Sequence, residues 1–103
     1  MRVHPTALAW IDDEVSTAPE WDRARVQRLA RHLGYAITWP GDSLIPLTDQ
    51  VRAADVDAVI VPSTSHLDPM TLNSLMGFVD VEAVTPRMSF ARWPAFTPEQ
   101  GRQ

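Results

Sequence analysis

The chain has no cysteine and no lysine, and only four glycines and one tyrosine among its 103 residues. Without cysteine there is neither a disulfide framework nor a thiolate metal site. That absence, and a Met1-Arg2 start that leads into no signal-type apolar stretch, fits an intracellular, cytoplasmic home. No apolar run approaches the roughly 20 residues of a membrane span. No glycine follows the first predicted strand, which excludes a glycine-rich phosphate loop there. Every one of the nine basic residues is arginine, and the formal net charge of -4 argues against wrapping nucleic acid by bulk electrostatics. Arg23, Arg25, Arg28 and Arg31 nevertheless crowd one segment. They read first as a solvated helix face and second as a local nucleic-acid patch.

What is present reads as alternating strands and helices. Ala7 to Ile11 is a compact apolar run that ends in Asp12, Asp13 and Glu14. Thr17 and Pro19 announce a helix to Leu33, with Glu20 and Asp22 in its first turn and Val26, Leu29, Ala30 and Leu33 on one stripe. Gly34 stands where a left-handed cap belongs. Tyr35 to Trp39 is a second strand stopped by Pro40-Gly41-Asp42. Ser43 to Ala54 carries Leu44, Leu47 and Val51 at helical spacing. The segment from Asp55 to Pro69, DVDAVIVPSTSHLDP, holds a third, β-branched strand over Ala58 to Val61 that breaks into a polar loop. Asp68 then caps a helix with Pro69 at its first position and Leu72, Leu75 and Met76 on its buried stripe. Val79 to Thr85 is a fourth strand, ended by Pro86.

This order predicts an α/β three-layer sandwich: a four-stranded parallel sheet of order 2-1-3-4 with helices on both faces. The carboxyl ends of the first and third strands then form the ligand crevice. It would hold Asp12, Asp13 and Glu14 opposite Ser63, Ser65 and His66. Asp12 and Asp13 are the carboxylates a hard cation would meet, although no cofactor is called for and an exposed acidic loop explains them as well. Residues 1–86 make the domain and 87–103 a tail rich in proline and aromatics. Phe90, Trp93 and Phe96 in that tail can each bury about 150 Å² or more, against the parent sheet or a second subunit.

AWIDDEVST from Ala9, followed by DRARVQRLARHLGY from Asp22 to Tyr35, resembles the catalytic domain of resolvase/invertase-type serine recombinases. Trp10 stands at the family's aromatic position, and Val15-Ser16-Thr17 arrive two residues late. The resemblance implies Ser16 as candidate nucleophile. It also implies arginines around a scissile phosphate, yet Asp12 and His66 occupy two of those positions and Pro69 a third. AWIDDE is also similar to the opening of response-regulator receiver domains. Pro62 replaces that family's phosphorylatable aspartate, and its lysine has no counterpart here.

The resemblance therefore implies a degenerate, non-catalytic resolvase-like module that works by protein-protein interaction or self-association as a homodimer, and that regulates a DNA transaction. Leu72, Leu75, Met76, Phe78, Phe90 and Trp93 are its candidate interface. The alternative is a metal-dependent enzyme or ligand binder using Asp12 to Glu14.

Overall fold

A computed structural model describes residues 4–41 and 43–93 of the chain. Asp42 of the predicted turn and Pro94, Phe96 and Pro98 of the predicted tail lie outside the described residues. The elements run β1 (Thr6–Ala9), α1 (Pro19–Leu33), β2 (Ala36–Thr38), α2 (Leu47–Ala54), β3 (Ala58–Val61), a 3-10 turn (Thr64–His66), α3 (Pro69–Leu75), β4 (Asp80–Ala83) and β5 (Met88–Phe90). The sheet is five-stranded, in the order β2-β1-β3-β4-β5. Its first four strands pair in parallel as the alternation predicts, and β5 pairs antiparallel on β4, with Val81 opposite Phe90 and Ala83 opposite Met88. The expected four-stranded parallel sheet is thus a five-stranded mixed one. Pro86 sits in the short turn from β4 into β5, and Met88 to Phe90 complete the sheet edge.

Strand periodicity decides which side chains meet which layer. Ala7, Ala9, Ala58 and Ile60 point to one face and pack with Val26 and Ala30 of α1, the three alanines leaving room for the helix. Leu8, Val59, Val61 and Val81 point to the other, where Val51 of α2 and Leu75 of α3 close over them. β3 is buried at every position, as a central strand covered on both sides must be. β4 alternates: Val81 and Ala83 enter the core under α3, while Asp80 and Glu82 face the α1 side. There Asp80 accepts from the Arg92 amide at 2.8 Å, and Glu82 Oε2 accepts from Ser89 Oγ at 3.0 Å. Glu82 Oε1 has no aligned hydrogen bond but lies 2.9 Å from Arg87 Nη2, so its charge is neutralised by an ion pair.

Pro19 opens α1 with Glu20 and Asp22 in the first turn, and Gly34 closes it at φ 85°. The residue at the cap is Ala18 and not Thr17, and no side chain caps this helix. α2 begins at Leu47 with Pro46 before it, four residues later than the spacing suggests, because the proline ring cannot continue a helix on its amino side. Leu44 is therefore left fully exposed outside the helix it was expected to stabilise. Asp68 caps α3 as predicted, accepting from the Thr71 amide at 2.8 Å. Among the described residues no helix is long and apolar enough to cross a membrane.

Candidate functional site

The loop that follows β1 is built from backbone donors. The Trp10 amide extends the ladder to Ile60 O at 2.9 Å, and Asp12 O then accepts from the amides of both Val15 and Ser16. Asp12 Oδ1 takes the Glu14 amide at 2.9 Å, an Asx turn that leaves Asp13 and Glu14 in solvent. This loop is fastened to the one after β3 through His66. Its Nδ1 accepts from the Asp12 amide at 2.9 Å, and its carbonyl accepts from Trp10 Nε1–H at 3.1 Å. His66 is only 6% exposed. Burial lowers its pKa below the ordinary value of 6.5, against the opposing pull of the Asp22 and Asp12 carboxylates. A ring that accepts at Nδ1 is neutral, with its proton on Nε2.

His66 thereby fills the gap between β1 and β3, where the strand order reverses and a crevice was expected. The hollow opens on the other side of β1. Trp10, Asp12, Asp13 and Glu14 line it from the β1 loop, Pro19 and Arg23 from α1, Trp39, Pro40 and Gly41 from the end of β2, and Ser43 and Gln50 from the α2 side. It holds about 460 Å³, within the size range of small-ligand sites. The Arg23 guanidinium lies over the Trp39 ring, 4.0 Å from its centroid. Ser63, Ser65 and His66 take no part in it, and the two serine hydroxyls bond one another. Arg23 is exposed, as a solvated helix face requires, and Trp39 packs half-buried against the core on the α1 side; what sequence reasoning did not foresee is that the two meet. The available signal was the end of β2 beside the end of β1, which the predicted order already implied.

Ser16 Oγ donates to Asp22 Oδ2 at 2.6 Å, so a carboxylate stands beside this hydroxyl. Among the described residues no group of three His, Asp or Glu side chains is placed to hold a metal ion. Asp12 and Asp13 therefore line the hollow without forming such a cluster.

The candidate interface residues divide. Leu75 is entirely buried and belongs to the core, so it is withdrawn from any interface. Leu72, Met76, Phe78 and Phe90 pack half-buried against that core, with the Arg52 guanidinium 4.4 Å from the Phe78 ring centroid. Trp93 stays 51% exposed while its amide donates to Met76 O at 2.9 Å, which ties this stretch of the tail to its own α3. The more exposed apolar side chains are elsewhere: Trp21, Leu44, Ile45 and Met70. No protein-family model, no curated protein and no solved structure matches this chain.

Proposed function

We propose that the chain is a non-catalytic α/β module, resolvase-like in plan, that works by contact with protein, either a second copy of itself or another chain, and in that way regulates a DNA transaction. The observation that carries this reading is the commitment of its reactive side chains to the scaffold. The Ser16 hydroxyl is spent on Asp22 and the His66 Nδ1 on the Asp12 amide. A phosphodiester brought to Ser16 would approach the Asp12 and Asp22 carboxylates, and like charges at such range repel.

Sedimentation velocity over a concentration series tests the self-association arm. A concentration-dependent dimer supports it, and a monomer throughout removes it. Incubation with supercoiled plasmid and Mg²⁺ tests the loss of catalysis; strand cleavage that Ser16→Ala abolishes would overturn the reading. The second reading, a metal-dependent ligand site at the acidic loop, is favoured by the hollow that Asp12, Asp13 and Glu14 share with two indoles. Under that reading Mg²⁺ or Mn²⁺ would shift the fluorescence of Trp10 and Trp39, whereas the interaction module leaves it flat.

A further inference from the structure

We infer that the carboxyl edge of the sheet is a docking surface for a basic polypeptide segment, one Arg or Lys entering the hollow beside Asp13 and Glu14 while its apolar neighbours settle on Leu44, Ile45 and Trp21. This rests on the reading of the chain as a protein-binding module and specifies the partner's chemistry.

Val15 and Trp21 follow β1, Leu44 and Ile45 follow β2, Met70 follows β3, and Met88 pairs with the carboxyl-end residue Ala83 of β4. All are large apolar side chains in solvent, from 38% exposed for Met88 to fully exposed for Leu44. At the opposite edge Trp93 alone among the described residues is comparable. Isolated exposed apolar residues are ordinary, but their gathering at one edge of the sheet marks a contact surface. Those nearest the hollow are Leu44, next to its lining residue Ser43, and Ile45, whose carbonyl accepts from Nε2 of its lining residue Gln50.

The same edge carries Asp12, Asp13, Glu14, Glu20, Asp49 and Asp68, with Arg23 and Arg87 as cations, and Arg87 is already paired with Glu82. Helix amino termini favour anions, yet here the protein's own carboxylates crowd that end, so an incoming phosphate or nucleic acid is repelled and a cation is drawn in. A second copy docking by the same patch would set acid against acid across a two-fold axis. The Trp39 face is already taken by Arg23 at 4.0 Å, so an incoming cation is met by the Asp13 and Glu14 carboxylates. A free cation would leave the apolar rim unused, whereas a segment with apolar residues flanking its cation uses both.

The test is fluorescence anisotropy of a labelled pentapeptide, Leu-Ala-Arg-Leu-Leu, added to the full chain at about 0.15 M salt, where weak surface attraction is largely screened. Its twin carries citrulline, which keeps the shape of arginine and removes the charge. The arginine peptide should bind saturably and the citrulline peptide at least about fivefold more weakly. The double variants Asp13→Asn/Glu14→Gln and Leu44→Ser/Ile45→Ser, all at exposed positions that the fold does not use, should each weaken binding by at least about fivefold. No binding of the arginine peptide at about 1 mM, a limit that only very weak complexes exceed, would overturn the inference. So would equal binding of the two peptides, or sensitivity to the acid pair alone, which is unspecific electrostatics. If the peptide fails while the chain still sediments as an oligomer, this inference falls and the module reading stands. If both fail, this inference and the self-association arm fall together, while the module reading itself is overturned by Ser16-dependent strand cleavage.

Discussion

His66→Ala should cost the protein about 2–4 kcal/mol, and the reasoning behind that figure is local. Removing the imidazole strands the part-buried Asp12 amide, whose 2.9 Å bond to Nδ1 holds the β1 loop in place; an orphaned donor costs about 1–3 kcal/mol. His66 is 6% exposed, so its ring carbons forfeit about 1 kcal/mol more of burial. The pH dependence separates this account from a general packing loss. Burial holds the folded His66 pKa below its unfolded value, so the unfolded chain binds the proton more readily and stability rises with pH between the two values. The contribution is whole above pH of about 6.5 and drains away as pH falls through and below it. Asn, whose Oδ1 can accept from the Asp12 amide without titrating, should recover part of the loss and flatten that slope. Urea unfolding at pH 8.0, 6.5 and 5.5 measures all of this, since 2 kcal/mol moves the midpoint of a domain this size by roughly 1 M or more. A loss under about 0.5 kcal/mol for His66→Ala, or parallel pH curves for wild type and His66→Asn, would refute the reasoning.

Leu75→Ala should destabilise by about 2–5 kcal/mol in urea unfolding and leave the sedimentation coefficient of the folded protein unchanged, because the side chain is wholly inside the core. Gly34→Ala should cost about 1 kcal/mol by the same measurement: φ is 85°, a backbone conformation that a β-carbon disfavours, although nothing lies within 4 Å of the added atom. Ser16→Ala should cost only about 1 kcal/mol, the worth of one hydrogen bond to Asp22, with no effect on any DNA-cleavage assay. Asp68→Ala should lower the melting temperature by removing both bonds to Thr71, and Asp68→Asn should retain most of the cap. The Asp68 carboxyl is held below its usual range by the Thr71 amide and hydroxyl. The wild-type advantage over Asp68→Asn should therefore shrink as pH falls through the low carboxylate range.

The elements that carry their own punctuation were legible from residue order. α1 runs from Pro19 to Leu33 because a proline opens it, an apolar stripe sustains it and a glycine ends it. β3 declares itself by an uninterrupted apolar run, and Asp68-Pro69 names the start of α3. Leu44 shows the limit of periodicity: its spacing to Leu47 and Val51 is helical, but Pro46 starts the helix after it. β5 was lost because three residues, Met88 to Phe90, are too few to show alternation, and their polar face is read only against Glu82 on the neighbouring strand.

For the site, sequence alone determined which residues lie in the loops at the carboxyl ends of the strands, because right-handed crossovers leave a βα chain little topological choice. The tertiary structure decided which of those loops touch. A buried histidine closes the β1–β3 gap, the exposed Arg23 lays its guanidinium on Trp39, and the hollow opens between β1 and β2 instead. Those outcomes turn on a few ångströms between groups far apart in the chain, where burial, ring contact and hydrogen bonding compete, and no one-dimensional spacing encodes that competition.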